Sequence, residues 1–437
     1  ANSVRMNRGS SDYFRRTNNT AGTSDKIGTY SGWVKRSTTT LDGMFFEGKD
    51  LAANNYTQIY FQATGALTIY GSGGGMDLVT TALFRDPSAW YHVVVAFDTT
   101  QGTATNRVKV YVNGVQQTSF STGTYLAQNA TIYFGINGDQ QGIGVREDGA
   151  LLWNGYMSEI VYVDGQALAP TSFGEFDEDS GIWKPINVSG LTFGNNGCYL
   201  DFEDSSNLGN VVAGNSTDFT ENGLTSIDQS TDTCTNNFAT LNPLALGPDR
   251  QALSDGNLTG TSSDWDSSVS TIAVTTGKWF AEMKCVSGTG NGMIAGVIDA
   301  SDLVLVTGAT SGIGFTTNSV GYINNGSKFI ADSSSSYGAS FADNNIIGIA
   351  LDMTSATKTV TFYKDGVSQG AISLPTAGTL TFFLGCSTSN GTTSMNFGNP
   401  PYAISSGNAD ANGYGNFEFA VPSGYFSLNT KNLAEHG

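Results

Sequence analysis

The chain has 437 residues and a formal net charge of −18, and only 13% of its residues are charged. This length exceeds what a single hydrophobic core usually supports, so two domains are expected. The acidic balance argues against nucleic acid as a partner, and the absence of a long apolar run argues against membrane insertion.

The first predicted domain, residues 1–170, alternates apolar and polar residues as half-buried strands do. In Val108–Val112 the valines share one face, while Lys109 and Tyr111 share the other. The predicted strands are Ser31–Lys35, Thr57–Gln62, Trp90–Phe97, Arg107–Val112, Thr131–Gly135 and Gly155–Val163. Many short strands with abundant glycine predict an antiparallel β-sandwich.

Three similar pentapeptides support an all-β chain. Val110–Gly114, Val161–Gly165 and Phe362–Gly366 each run as an extended segment into Asn-Gly or Asp-Gly. These dipeptides tolerate the positive φ angles of type I′ turns, so each pentapeptide predicts a β-hairpin.

The remaining sequence divides into three predicted regions. Residues 171–250 are polar and form a long, mostly irregular connector that packs against its neighbours. Residues 251–403 form a second β-sandwich, and residues 404–437 form an irregular tail. The predicted strands of the second sandwich are Gly277–Cys285, Met293–Ile298, Ile346–Asp352, Thr359–Lys364 and Leu380–Cys386.

The cysteines and histidines do not form a recognisable metal or catalytic motif. The four cysteines lack CxxC spacing, and His92 and His436 are the only histidines, so a zinc site is not expected. Cys285 and Cys386 each continue the alternating apolar residues of a predicted strand, so both are expected in the core. Whether they form a disulfide with each other is left open. His92 lies within a strand and is interpreted as a core residue.

Two segments resemble catalytic motifs but lack essential parts. Val306–Gly314 matches the glycine fingerprint of short-chain dehydrogenases, yet a poor helix former follows it and no Tyr-x-x-x-Lys pair is found downstream. Glu175–Asp179 is similar to the paired carboxylates of laminarinase-type glucanases, but Ser180 occupies the place of the last glutamate. We therefore predict no catalytic and no cofactor-binding residues.

The two predicted sandwiches resemble known domain families. Trp90–Asp98, Val110–Gly114 and Trp153–Gly165 resemble the laminin G-like, concanavalin A-like family. In the second sandwich the segments that resemble a SPRY domain are Gly277–Glu282, Ile347–Asp352, Val360–Gly366, Phe383–Gly385 and Asn396–Tyr402.

The connecting phrases carry a more specific resemblance, to structural proteins of tailed bacteriophages, often marine ones. These phrases are Phe173–Pro185, Gly197–Phe202, Asn236–Pro243 and Leu428–Leu433. The resemblance implies a virion protein at the particle surface, homo-oligomeric in the assembly, with other virion proteins and a host-surface glycan or protein as partners. It does not distinguish a tail fibre or other appendage from a head decoration protein.

Laminin G-like sandwiches often bind one calcium ion at a loop rim. The acidic loop residues that could provide oxygen ligands here are Asp98, Asp139, Glu147 and Asp148. The sequence does not map the family's site residue by residue, so calcium remains an open hypothesis.

The sequence thus predicts a non-enzymatic virion structural protein that serves host attachment or surface decoration. The alternative is a polysaccharide-degrading enzyme, either on a virion or secreted, which a paired-carboxylate cleft would support. A cellular adhesin is a third reading.

Overall fold

Antiparallel strands dominate the computed structural model, which describes residues 2–72, 75–245, 250–288, 290, 292–305 and 312–437. The chain divides into two units, Ala1–Thr235 and Asn236–Gly437. The predicted all-β class is confirmed. No helix among the described residues has the length and hydrophobicity needed to cross a bilayer.

The strands of the first unit are β1 (Ser3–Met6), β2 (Tyr13–Thr17), β3 (Ile27–Arg36), β4 (Gly43–Asp50), β5 (Asn55–Phe61), β6 (Ala66–Gly71), β7 (Met76–Leu83), β8 (Trp90–Asp98), β9 (Val108–Val112), β10 (Val115–Gln117), β11 (Phe120–Thr124), β12 (Gln140–Ile143), β13 (Gly155–Asp164), β14 (Gly174–Phe176), β15 (Trp183–Pro185), β16 (Cys198–Leu200), β17 (Ala213–Gly214), β18 (Thr220–Asn222) and β19 (Gln229–Ser230). Short 3-10 helices lie at Arg8–Ser10, Ala104–Asn106, Pro170–Ser172 and Ser226–Asp228.

Two sheets face each other in this unit. Sheet A has the order β10-β9-β8-β3-β13-β1-β19, with β16 also paired to β13 and β17 to β16. Sheet B has the order β11-β7-β6-β5-β4-β12-β2-β18. Their inner faces bury one apolar core that includes Phe46, Ile59, Val95 and Tyr162.

The outer face of sheet A is also largely buried, because parts of residues 166–235, the covering segment, fold back over it. Other parts of the same range extend the two sheets, since β16, β17 and β19 join sheet A and β18 joins sheet B. Phe173, Val188 and Phe193 of this covering segment pack on Val94 and Val161 of the sheet. A second cluster places Trp183 of β15 against Trp33, Trp90 and Tyr156. Sheet A is therefore a central layer, with side chains buried on both of its faces.

The strands of the second unit are β20 (Ala252–Ser254), β21 (Thr259–Val269), β22 (Lys278–Ser287), β23 (Met293–Asp299), β24 (Ser319–Ile323), β25 (Ser327–Ile330), β26 (Ser333–Ser336), β27 (Ile346–Asp352), β28 (Thr359–Lys364), β29 (Val367–Ser373), β30 (Phe382–Asn396) and β31 (Phe426–Ser427). A 3-10 helix spans Ala300–Leu305, and the helix α1 spans Thr430–His436.

The long strand β30 organises the second unit. It pairs with β23 through its first half and with β22 through its second half, while β21 lies along its other edge. The sheet order is β26-β25-β24-β23-β30-β22-β27-β28-β29. The apolar core of this unit includes Trp279, Tyr322, Phe362 and Phe397.

The predicted connector is divided between the two units. Within the first unit, β16 and β19 of this region join sheet A. Within the second unit, the backbone of Asn237 bonds to the segment that begins α1: its amide donates to the side-chain Oγ1 of Thr430 over 3.0 Å, and the Thr430 amide donates to its carbonyl. Two of the specific connector phrases thus contact each other.

The C-terminal segment is tied to β22 through a buried carboxylate. Glu282, fully buried, accepts hydrogen bonds from the amides of Glu418 (3.1 Å) and Phe419 (2.9 Å) and from Asn396 Nδ2 (3.1 Å). Burial raises the pKa of Glu282 to about 7, although the three hydrogen bonds oppose this shift.

The helix α1 lies in the segment that was predicted to be an irregular tail. The sequence pattern did not indicate this helix, because it is short and polar.

Two of the three predicted hairpins form. Asn113-Gly114 has φ angles of 48° and 78°, and Asp365-Gly366 has φ angles of 48° and 80°. Both turns lie against an aromatic residue of a covering segment: a Cβ added to Gly114 would lie 2.7 Å from the Trp183 ring, and one added to Gly366 would lie 2.8 Å from Phe419.

The third hairpin prediction is wrong. Asp164 ends β13, and its carboxylate accepts hydrogen bonds from the amides of Thr23 (2.7 Å), Ser24 (3.1 Å) and Asn196 (3.1 Å). The chain therefore continues into the covering segment instead of returning as a strand, because side-chain hydrogen bonding replaces the turn.

The predicted strand Thr131–Gly135 is also wrong. Ile132 and Phe134 are buried in the core, as strand residues would be. The backbone, however, bonds to side chains instead of a neighbouring strand: the Tyr133 amide donates to Thr57 Oγ1, and the Phe134 carbonyl accepts from Asn18 Nδ2. Apolar patterning identified the burial but not the hydrogen-bond partners.

We expect Gly114→Ala to destabilise the first unit by roughly 1–3 kcal/mol, because it combines a left-handed φ with a clash against Trp183. Gly102→Ala is the matched control, since nothing lies within 4 Å of its added Cβ. Urea unfolding of both variants measures the difference; equal midpoints would contradict the proposed contact.

Glu282→Gln tests the buried carboxylate. A carboxyl group with a raised pKa in the folded state favours folding at low pH, and this contribution declines as pH rises from about 4.3 in the unfolded chain through about 7. As the pH is raised from 5 to 8, we expect the melting temperature of the wild type to decrease relative to that of the variant. A difference that does not change with pH would show that Glu282 does not titrate in this range.

Candidate functional site

The covered side of sheet A contains a polar pair that resembles part of a hydrolytic triad. His92 Nε2 lies 2.8 Å from Ser31 Oγ, and Trp183 Nε1 donates to His92 Nδ1 over 2.8 Å. Because Nδ1 accepts the indole proton, the neutral ring carries its own proton on Nε2 and donates it to Ser31. A catalytic histidine would need the opposite arrangement, with Nε2 free to accept the serine proton.

His92 is accordingly a core residue. The ring is stacked on Trp33 with a centroid distance of 4.7 Å, and burial lowers the pKa of His92 to about 3. It stays neutral at physiological pH and fixes the orientation of Trp183.

The outer face of sheet B carries polar and aromatic side chains by strand alternation. On β5, Ile59 and Phe61 point into the core, so Tyr56, Gln58 and Tyr60 point outward. The outward side chains of the neighbouring strands at this face are Glu47 and Lys49 on β4, Thr68 and Tyr70 on β6, and Asp77 on β7, as the strand register places them.

A cleft of about 410 Å³ opens on this face. It is lined by Glu47, Lys49, Asn54, Tyr56, Gln58, Arg146, Glu147 and Asp148. The strands β4 and β5 supply its floor, and the turn after β12 supplies its acidic wall. Its lining combines carboxylates, amides, cations and a phenol within one concave surface.

Glu47 is the most buried acid of this cleft. Only 2% of the residue is exposed, and its Oε1 accepts a 2.6 Å hydrogen bond from Gln58 Nε2. Burial raises the pKa of Glu47, while Gln58, the amide of Glu147 and the charge of Lys49 oppose the shift. Its carboxyl group is thus shielded from water yet borders the cleft.

The cations of the cleft are held by neighbouring acids. Lys49 Nζ lies 3.5 Å from Glu147 Oε2 and also bonds to Asn54, and Arg146 forms a bidentate pair with Asp148 over 2.9 and 2.6 Å. Three carboxylates therefore face two cations in this lining. Such a surface suits a neutral ligand rich in hydroxyl groups better than a strongly charged one.

An aromatic surface adjoins the polar lining. The rings of Tyr56 and Tyr70 stack with centroids 5.8 Å apart, and both side chains are half-buried. Rings held in this way present an apolar surface that can pack against the C–H groups of a sugar.

The four predicted calcium ligands do not come together. Asp98 bonds to Thr100 and Gln101 in an exposed turn, Asp148 pairs with Arg146, and Glu147 lies near Lys49. Asp139 is separate from them and 4% exposed. Within the described ranges, no group of three or more His, Cys, Asp or Glu residues could hold a metal.

Asp139 is the predicted ligand that best fits a cation. Its Oδ2 is buried without a hydrogen-bond partner among the described residues, and burial together with the charge of Asp50 raises the pKa of Asp139 to about 7. An ion bound there would have the carboxylates of Asp139 and Asp50 as its ligands. Two carboxylates are fewer oxygen ligands than calcium usually takes. Calcium binding stays a prediction.

The other sequence motifs lie outside this cleft. Glu175–Asp179 spans the turn between β14 and β15, where Asp177 accepts from Ser180 and pairs with Lys184 over 2.9 Å. In the dehydrogenase-like Val306–Gly314, positions 306–311 lie outside the described residues. Cys285 and Cys386 are free thiols, as are Cys198 and Cys234.

Sequence reasoning missed most of the cleft. Of its lining, only Glu147 and Asp148 were identified, as candidate calcium ligands. The alternation in Phe46-Glu47-Gly48-Lys49 and in Tyr56-Thr57-Gln58-Ile59-Tyr60 was the available signal, since it places several polar side chains on one face of adjacent strands.

Comparison with known proteins identifies the first domain. The family model described as "Concanavalin A-like lectin/glucanases superfamily", of the laminin G type, matches residues 8–171. A comparison with curated proteins finds no match.

Several solved structures are similar to parts of the chain. They include a human SPRY domain (15% identity, 33% of this chain and 90% of that chain, TM-score 0.25), the heptameric SAP-like pentraxin from Limulus polyphemus (18%, 36% and 71%, 0.26) and the LG1-3 region of the laminin alpha2 chain (8%, 90% and 61%, 0.36). Similarity at this level does not indicate a shared function. The first unit contains a laminin G-like, concanavalin A-like domain, and SPRY domains are among the structural neighbours of the chain.

Proposed function

We propose that this protein is a non-enzymatic virion structural protein of a tailed phage, which attaches to a host-surface glycan through the cleft on the outer face of sheet B. The observation that carries the glycan-binding part is the contrast between the two outer faces of the first unit. One is largely covered by residues 166–235 and keeps only a smaller cleft of about 320 Å³ beside Lys109 and Tyr111, and the other presents an open surface of tyrosines, amides and paired charges.

The chemistry of the cleft supports a neutral glycan as the ligand. Gln58, Asn54 and the carboxylates supply hydrogen-bond donors and acceptors for hydroxyl groups, and Tyr56 with Tyr70 supplies a stacking surface. The superfamily that matches residues 8–171 includes lectins and glucanases by its description. The match is therefore consistent with sugar binding, but it does not distinguish binding from hydrolysis.

The virion assignment rests on the resemblance of the connecting phrases to phage structural proteins. It implies that the protein lies at the particle surface, in homo-oligomeric form, among other virion proteins. Two rigid sandwiches with exposed loops suit an appendage or a decoration protein, because such scaffolds present binding surfaces away from the particle.

A second candidate function, polysaccharide hydrolysis, is favoured by one observation. Glu47, whose pKa is raised, borders the same cleft as Glu147. Two neighbouring carboxyl groups, one of them with a raised pKa, are the arrangement that glycosidases use. Against it, Glu147 faces Lys49 and Glu47 is bonded to Gln58, so both groups already have partners.

We expect Tyr56→Ala to weaken binding to neutral glycans on an array about tenfold, as loss of one aromatic contact predicts. Tyr111→Ala, the same truncation of a half-buried tyrosine that lines the separate cleft on sheet A, is the matched control and should bind normally. Equal binding by both variants would place the ligand elsewhere. Release of shorter sugars by the wild type, lost in Glu47→Gln, would establish the hydrolase instead.

The virion assignment predicts that the chain is present in purified particles. Cryo-electron microscopy with quantitative mass spectrometry gives its position and copy number. A few copies at the tail would identify an attachment protein, and many copies on the head would identify a decoration protein. Absence from particles would overturn the virion assignment and favour a secreted hydrolase or an adhesin.

A further inference from the structure

A lysine and an aspartate meet in the interior of the first unit. Lys35 Nζ of β3 lies 2.7 Å from Oδ2 of Asp232, which follows β19, and the two side chains are 1% and 0% exposed. The pair joins residues that are 197 positions apart in the chain. It therefore connects a central strand of sheet A to the last part of the covering segment.

The surroundings of this pair are aromatic. Trp90 Nε1 donates to Asp232 Oδ1 over 3.2 Å, and Lys35 Nζ lies 5.4 Å from the centroid of the Tyr156 ring. Trp33, Trp90 and Tyr156 belong to the buried cluster that also contains Trp183. The carboxyl group thus has one oxygen bonded to the amine and the other to an indole N–H.

A buried ion pair is an energetically unfavourable way to join these two segments. Removing an ammonium and a carboxylate from water costs several kcal/mol per ion, and their attraction recovers this cost only in part. A neutral amide in the same place would need no such desolvation. The aromatic walls also exclude water, which favours condensation over the reverse hydrolysis of the amide.

We propose that Lys35 and Asp232 condense into an intramolecular isopeptide bond once the first unit has folded. A proton passes from Lys35 Nζ to Asp232 Oδ2 along their hydrogen bond, which leaves an amine and a carboxylic acid. The amine nitrogen then attacks Cγ of Asp232, a C–N bond forms and the bond from Cγ to Oδ2 breaks. Oδ2 leaves as water with two protons from the original ammonium group, and the third stays on the amide nitrogen.

The reaction needs no oxidant, cofactor or activated carrier, because it is a dehydration between two groups that the fold already holds together. Such fixed proximity replaces an intermolecular encounter and lowers the barrier to bond formation. The Trp90 indole N–H is placed to stabilise the negative charge that develops on Oδ1 as the nitrogen attacks.

The bond would change how the unit bears load. Thr235 ends the first unit, so a pull transmitted along the chain from the second unit enters the first close to Asp232. Without a covalent link, β19 is held at the edge of sheet A by a short pairing with β1. With it, the pull reaches β3, which pairs with β8 and β13 over most of its length.

Mass spectrometry of the purified full chain tests the proposal. We expect an intact mass lower than the sequence mass by one water molecule, together with a branched peptide that joins Lys35 to Asp232. Identification of the branched peptide is essential, because imide formation at an Asp-Gly sequence also removes water. An unbranched Lys35 peptide at full yield would overturn the proposal and leave a buried salt bridge.

Two variants make the result specific. Asp232→Asn preserves the shape of the side chain and can form the same amide, but it should lose ammonia in place of water. Lys35→Arg keeps the positive charge without a nucleophilic amine, so it should retain its full mass and yield no branched peptide. A wild-type mass deficit that persists in Lys35→Arg would likewise overturn the assignment.

Discussion

The burial of both faces of sheet A is the constraint on which the first unit depends. A sheet that is apolar on two sides needs a second layer on each, and the chain supplies one from sheet B and the other from residues 166–235. Trp183 is central to the second layer, since it packs on the β9–β10 turn at Gly114 and bonds to His92. Truncating a tryptophan buried in this way typically costs roughly 3–5 kcal/mol.

The same constraint decides where a ligand can bind. With most of sheet A covered, the outer face of sheet B offers the larger of the two clefts described on the sheets of the first unit. Its strands can carry Glu47, Gln58 and Tyr56 outward because the alternate residues, such as Phe46 and Ile59, already fill the core. The polar cleft is thus a consequence of one-sided burial, and its tight hydrogen bonding gives it a fixed geometry.

Both units use covering segments in a similar way. In the second unit Phe419 lies against the β28–β29 turn at Gly366, as Trp183 lies against the β9–β10 turn, and Glu282 binds the backbone of the same segment. Buried charged groups secure these segments in both cases: Glu282 through backbone amides, and Asp232 through Lys35. Such polar anchors specify one position for a segment whose own sequence is too irregular to select it.

The sequence by itself determined the all-β class, the positions of most core strands and two Asn-Gly or Asp-Gly turns, because alternation and positive φ are local properties. It did not determine what residues 171–250 pack against, why Thr131–Gly135 is not a strand, or why Asp164-Gly165 is not a hairpin. In each of these, apolar contacts or hydrogen bonds with residues distant in the chain decide the backbone. The cleft also depends on residues that are distant in the chain. Glu47 and Tyr56 lie on separate strands, and Arg146 follows β12, so only strand pairing brings them together. Local patterns record which side chains are buried, whereas the partners of those side chains are a property of the folded chain alone.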